Sequence, residues 1–290
     1  MSSPPIFRRY ARLDRIFSIL LSGPLARRIH FNKNKKIPVL MYHSISNEEE
    51  KGVHPYYGIN TKPDIFAEQM KYLSDSDCVV TGLDTALERI HSQNGCPDKF
   101  VVLTFDDGYM DFYTDAQDIL RRFGFTATVY LPSSLIQDKM SMKFKGKDCL
   151  TWDKVRELSG AGHRFGSHSV THRKLIDLKR KEIEEEVRQS KAVIESKIGK
   201  PVDSFSYPYA FPEEDREYKA CLRGLLEEAG YRNGVSTNIG RISRTDDRYF
   251  LKRIPVNSFD DINLFHAKIM GAYDWMFTVQ KVYKHLRKRN

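Results

Sequence analysis

Short apolar runs alternating with amphipathic stretches restrict this chain more than any other feature. Runs at residues 37–42, 78–81, 100–105, 126–131, 164–167, 204–207, 232–236 and 250–256 read as strands. Between them, helical patterns begin near Pro63 and cover 83–91, 110–123, 152–160, 178–198 and 219–230. Alternation at this spacing needs parallel strands joined by crossover helices, in either an open doubly wound sheet or a closed barrel. A length of 290 residues suits a single α/β barrel. No strand is followed by G-x-G-x-x-G or by G-x-x-x-x-G-K-[ST], so nucleotide-dependent functions lose support. No internal repeat or low-complexity segment interrupts the pattern.

If the fold is a barrel, the loops after the strand C-termini build the site, and the polar residues there become informative. Asp106, Asp107 and Gly108 follow the 100–105 strand, and His168 and His172 follow 164–167. Pro208 and Tyr209 follow 204–207, and His43 follows 37–42. Two adjacent part-buried carboxylates repel unless a cation separates their roles. A divalent metal does so by taking one as a ligand and leaving the other free as a base. One aspartate and two histidines make a three-ligand site with open positions, as a catalytic metal requires. Alone, a DD pair is more often a solvated helix N-terminus, and an H-x-x-x-H is often incidental. Their joint occurrence at successive strand ends carries the argument.

These residues also carry a resemblance. TFDDG (104–108), HSVTH (168–172) and FSYPY (205–209) resemble the first three motifs of the polysaccharide deacetylase family, also known as carbohydrate esterase family 4 or the NodB-homology domain. The likeness spans about residues 37–256. It implies an irregular seven-stranded (β/α) barrel and removal of acetyl groups from an N-acetylated sugar. It implies Asp106 as general base and Asp107, His168 and His172 as ligands of a divalent metal, with Zn²⁺ expected and Co²⁺ or Ni²⁺ compatible. The Tyr209 N–H is expected to help hold the oxyanion. Two departures stand out. The arginine that braces the base in the third motif is replaced by Ser206, and FLKRIPV (250–256) lacks the fifth-motif histidine that serves as general acid. The MYHSI stretch (41–45) is similar to a subfamily with a Tyr-His opening, which nominates His43 as the acid; a structural histidine is the alternative. Arg253 is a weaker candidate, as an arginine at a strand end more often serves the surface. Asp111 is expected to cap a helix and His163 to lie on the surface.

The chain therefore divides into a basic amphipathic extension (1–36), a deacetylase domain (37–260) and a basic helical extension (261–290). Lys and Arg outnumber Asp and Glu by 47 to 38, and much of the excess sits at the two ends. Tyr10, Leu13, Phe17, Leu20 and Leu21 recur at helical spacing, as do Trp275, Val279, Val282 and Leu286, with basic residues between. Such helices either pack on the domain or lie on an anionic membrane. The apolar run at 16–21 is too short for a signal-peptide core and is followed by Arg27 and Arg28. A cytoplasmic protein, or one at the inner membrane face, is the expectation, with an exported form as the alternative. The four scattered cysteines form no metal-binding spacing and read as free thiols, one or two disulfides being compatible with export. Nucleic-acid binding rests on charge alone. The rival functions are hydrolysis of a small cyclic amide and a non-catalytic carbohydrate- or membrane-binding protein. Retention of Asp106 and all three ligands weighs against both. Oligomeric state is not legible.

Overall fold

Parallel strands that are apolar on both faces need cover on both, and this chain supplies it by closing the sheet on itself. The computed structural model describes residues 12–22, 36–92, 99–212 and 214–288. Its barrel strands are β1 (Val39–Tyr42), β2 (Phe100–Phe105), β3 (Thr128–Leu131), β4 (Arg164–Ser167), β5 (Ser204–Ser206), β6 (Asn233–Ile239) and β7 (Leu251–Pro255). Each pairs in parallel with the next in chain order, and β1 closes the ring between β2 (Leu40↔Leu103) and β7 (Leu40↔Ile254). The short strand Val79–Val80 pairs along the first residues of β2 and is not part of the ring. The ring is irregular. β4 and β5 meet at Phe205↔Ser167, and the β6–β7 register shifts between Val235 and Ile239. A seven-stranded irregular α/β barrel, as the sequence predicts, is what forms.

The helices cover the barrel with the faces that their sequence period dictates. Phe66, Met70 and Leu73 of Pro63–Asp75 are fully buried, each burial stabilising by about 1.5–3 kcal/mol. In Arg180–Ile198 the buried positions are Ile183, Glu186, Val187, Ser190 and Ile194. An acid thus stands inside an otherwise apolar stripe. Gly199, at φ +67°, ends that helix in the left-handed conformation that costs glycine least.

Three local expectations change. The helix predicted over 110–123 is a π-turn, Phe112–Ala116, leading into Gln117–Arg122. Asp111 does not cap it; its carboxylate instead accepts a 2.5 Å hydrogen bond from the Ser44 hydroxyl, which stands just beyond β1. The helix predicted from 219 begins at Arg216, because Asp215 caps it by accepting from the Tyr218 N–H at 2.9 Å. At the N-terminus, the described part of the amphipathic stretch is a short helix, Leu13–Phe17, continued by a wider turn, Ser18–Ser22. Arg8, Arg9, Tyr10, Arg27 and Arg28 lie outside the described residues, as do the side chains of Leu21 and Leu286. Cys78, Cys149 and Cys221 are free thiols, and Cys96 lies outside the described residues.

Candidate active site

Seven parallel strands deliver their C-terminal ends to one rim, where a cavity of about 360 Å³ opens. His43, Asp106, Asp107, His168, His172 and Tyr209 all line it. The six residues singled out in the sequence therefore meet in one place.

Asp107 leaves β2 with a left-handed backbone (φ +68°) and is 1 % exposed. Its Oδ1 lies 3.0 Å from His172 Nε2 and 3.5 Å from His168 Nε2, yet it has no hydrogen-bond partner. Its Oδ2 is occupied, accepting from the Tyr109 hydroxyl at 2.8 Å and from Lys145 Nζ at 3.3 Å. His168 is turned by its far nitrogen: Nδ1 donates to the Ser206 carbonyl at 2.7 Å, leaving Nε2 directed at Asp107. That is the arrangement by which proteins fix the tautomer of a metal-ligating imidazole. One ligand atom from each of Asp107, His168 and His172 falls within 4.8 Å of the others. An orphaned buried carboxylate oxygen facing two Nε2 atoms fits a divalent cation such as Zn²⁺. Burial would raise the Asp107 pKa, but the adjacent imidazoles of His168 and His172 outweigh it and hold the group well below the usual carboxylate range. Burial also lowers the pKa of His172, favouring the neutral form that ligates.

The loop that carries the two histidines is strained and clamped. Ser169 (φ +65°) and His172 (φ +56°) both have left-handed backbones, at about 1–3 kcal/mol each for non-glycine residues. Glu186, 3 % exposed, holds the loop from beneath: Oε2 accepts from the Val170 and Thr171 N–H groups at 2.8 and 2.9 Å. The Thr171 hydroxyl donates to Oε1. Ser169 Oγ then accepts from the His172 N–H at 3.0 Å.

Asp106, 2 % exposed, is held on the other side. Arg253 from β7 donates two parallel bonds to it, Nη1 to Oδ1 and Nη2 to Oδ2, each 2.7 Å. This overturns the expectation for Arg253, which is 0 % exposed and forms the brace that the third motif lacks. Ser206 explains the exchange. Its small side chain leaves room for the guanidinium arriving from β7 and shares the cluster, 3.0 Å from Nη2 and 3.3 Å from either Asp106 oxygen. The remaining Arg253 donors reach the Ser236 carbonyl and the Thr104 hydroxyl. Burial pushes the Asp106 carboxyl up, but the charge of Arg253, then of His168, more than offsets this and holds it at about 2.

His43 faces both carboxylates from the end of β1; burial lowers its pKa, against the pull of Asp106 and Asp107. Tyr209, left-handed at φ +61° and 48 % exposed, stands with its ring 4.9 Å from His172. Lys145 lies 5.7 Å above that ring. His163 is not a surface residue. It is 6 % exposed, packs edge-on against Phe112, and its Nδ1 accepts from the Ala127 N–H at 3.2 Å. Burial depresses its pKa to about 4. Sequence reasoning missed Glu186, Tyr109 and Lys145. Only Glu186 left a signal, an acid in phase with a buried helical stripe.

The chain is similar to several known proteins. The family described as polysaccharide deacetylase matches residues 93–234, a segment that holds Asp106, Asp107, His168, His172, Ser206 and Tyr209 but neither His43 nor Arg253. The Bacillus subtilis protein YxkH, whose name places it among polysaccharide deacetylases, is 28% identical over 229 residues, covering 79% of this chain and 74% of its own. The Escherichia coli K12 poly-beta-1,6-N-acetyl-D-glucosamine N-deacetylase is 28% identical over 142 residues, 44% of this chain and 20% of its own. Among solved structures, the Streptococcus pyogenes deacetylase PplD in complex with acetate superposes with a TM-score of 0.70 at 24% identity, covering 81% of this chain and 99% of its own. That likeness is one of fold.

Proposed function

We propose that the chain, which the polysaccharide deacetylase family model matches over residues 93–234, hydrolyses the N-acetyl amide of an N-acetylhexosamine glycan. The observation that carries the reading is the pairing of two adjacent carboxylates with opposite surroundings. Asp106 is locked to an arginine, whereas Asp107 keeps one oxygen bare between two imidazoles. Similarity to a poly-N-acetylglucosamine deacetylase supports an N-acetylglucosamine polymer as the substrate class.

A divalent cation held by Asp107, His168 and His172, with Zn²⁺ as the first candidate, would polarise the acetyl carbonyl and acidify the attacking water. Asp106 accepts the water's proton. Arg253 keeps it ionised and fixes both oxygens, so the carboxylate stands ready across the neutral range. At about 2 it is a weak base, suited to a water that is already activated. The Tyr209 N–H donates to the oxyanion as the carbonyl becomes tetrahedral. His43, facing the carboxylates across the cavity, protonates the departing amine, since an amide nitrogen leaves poorly as an anion. Its lowered pKa makes it neutral at rest, so it must take up a proton before it can deliver one.

The test is acetate release from β-1,4- and β-1,6-linked N-acetylglucosamine oligomers, with and without chelator and added Zn²⁺. The expected result is release that needs the cation and is lost in Asp106→Asn. Release by chelated protein, or by Asp106→Asn at the native rate, would overturn the assignment.

A further inference from the structure

The segment 12–22 is docked on the barrel by its polar side. Arg12 pairs with Asp14 at 2.7 Å and with Asp260 at 3.5 Å, and Arg15 pairs with Asp261 at 2.7 Å. Asp14 accepts from the Tyr273 hydroxyl at 2.8 Å, and the buried Ser18 accepts from Trp275 Nε1 at 3.0 Å. Phe17 leans on Trp275 at 4.5 Å between ring centres. The leucines go the other way: Leu13 is 70 % exposed and Leu20 is 67 %, with Ile16 at 49 %. This inverts the ordinary surface helix, which buries its apolar stripe and wets the charged one. Phe259, 43 % exposed, neighbours the docked side of the segment, where its carbonyl accepts from Arg12.

The sequence on either side has one sign of charge. Residues 1–11 and 23–35 contain Arg8, Arg9, Arg27, Arg28, Lys33 and Lys35, and no Asp or Glu. No described helix is long and apolar enough to cross a membrane. A second copy docked face to face through this patch would bring two such basic sets together, which like-charge repulsion opposes. Anionic headgroups satisfy both features at once, since they attract the basic flanks while the acyl boundary takes the leucines.

We propose that segment 12–22 is a landing surface for an anionic lipid bilayer. It also sets the active site against that bilayer. Ile19 packs with Tyr56 and Trp275 around Ile239 and Met276, and Tyr56 and Ile239 line the catalytic cavity. The docked side of the segment thus rests on the same apolar cluster that helps wall the cavity. The proposal concerns binding and does not depend on the reaction assigned above.

The experiment is co-sedimentation of the full chain with vesicles of phosphatidylcholine alone, and of phosphatidylcholine mixed with phosphatidylglycerol. It is run for the native protein and for Leu13→Asp/Leu20→Asp. Both leucines point outward, so unchanged circular dichroism and melting are expected of the variant. The proposal predicts binding to the mixed vesicles, little to phosphatidylcholine alone, and at least about a tenfold loss of affinity in the variant. Three results would overturn it: no binding to mixed vesicles, equal binding to both vesicle types, or equal binding by the variant. A native dimer that the double variant converts to monomer would assign the patch to self-association instead.

Discussion

The barrel has a cavity at each end, and the two are nearly the same size. The one at the C-terminal ends of the strands holds about 360 Å³; the other, lined at the N-terminal ends by Asp84, His163, Arg164 and Ser204 among others, holds about 350 Å³. Volume does not tell them apart, and the state of their polar groups does. At the N-terminal end, Asp84 is paired with Arg164 at 3.0 Å and accepts from Asn233 at 2.9 Å. His163 has its partner in Ala127, and Gly162 alone of the lining residues has a left-handed backbone. At the C-terminal end, Asp107, Lys145, His172 and Tyr209 all have left-handed backbones, and Asp107 Oδ1 and His172 Nδ1 are buried without partners. A cavity whose backbone is relaxed and whose carboxylate is paired is architecture, even with Asn233 Oδ1 buried nearby without a partner. Strain and orphaned acceptors, kept at a cost in stability, are the mark of chemistry.

The most direct way to break this contrast is to remove one side chain from each end. Asp107→Ala should abolish retention of Zn²⁺ through gel filtration and lower acetate release at least about a thousandfold. Asp84→Ala, at the other end, should leave turnover per folded molecule unchanged. Equal losses at the two ends would sink the comparison.

Arg253→Ala should have the next largest effect. It strands a buried carboxylate, costing about 3–5 kcal/mol of stability in urea melts and at least about a hundredfold in activity. The sign of its pH effect follows from the brace. With Arg253 present, Asp106 sits at about 2, below the roughly 3.9 of an unfolded aspartate. Its contribution is therefore full above the unfolded value and lost as pH falls towards 2. Without the brace only the neighbouring histidines oppose burial, so the Asp106 pKa rises and the acid limb of the pH–rate profile should move upward. Arg253→Lys should recover part of the stability but not the two-pronged geometry.

A finer probe is Glu186→Gln, which keeps the shape of the clamp beneath the histidine loop while weakening its acceptors. Affinity for Zn²⁺, read by competition with a chelator, should fall about 10- to 100-fold. An unchanged affinity would make Glu186 a residue of fold stability alone.

The smallest effect should come from the relaxed end. His163 is buried with a pKa of about 4, below the roughly 6.5 of an unfolded histidine. Between those values the unfolded chain binds more protons, so stability is full above the upper one and drains away as pH falls to the lower. The histidine should account for about 2 kcal/mol of the stability lost between roughly pH 7 and pH 5. His163→Phe should flatten that slope in denaturant melts and leave the catalytic rate alone.

The sequence revealed whatever is local in it. TFDDG and HSVTH place a carboxylate pair and two histidines directly after strands, and the barrel converts that chain position into proximity. What it hid depends on distant partners. Arg253 meets Asp106 across 147 positions, and no local pattern separates an arginine that turns inward at a strand end from one that faces water. Glu186 is obscured by its neighbours, since Glu184 and Glu185 make that helix look uniformly charged, and only its phase with Ile183, Ser190 and Ile194 sets it apart. His163 was misjudged because a Gly-His-Arg turn reads as exposed, although Phe112 folds over the ring. Ser206 marks a missing brace in the sequence, but no local pattern there singles out Arg253 as its replacement.

Because strands enter the ring in chain order, β7 is the stave that shuts it, and Arg253 arrives with β7. During synthesis Asp106 is made long before its guanidinium. Until Leu251–Pro255 has emerged from the ribosome and slotted between β6 and β1, a nascent chain lacks the guanidinium that does most to hold that carboxylate ionised in a dry interior. On the proposed reaction, hydrolytic competence would arrive late, with the strand that carries Arg253, and a chain terminated before residue 251 would be born without it.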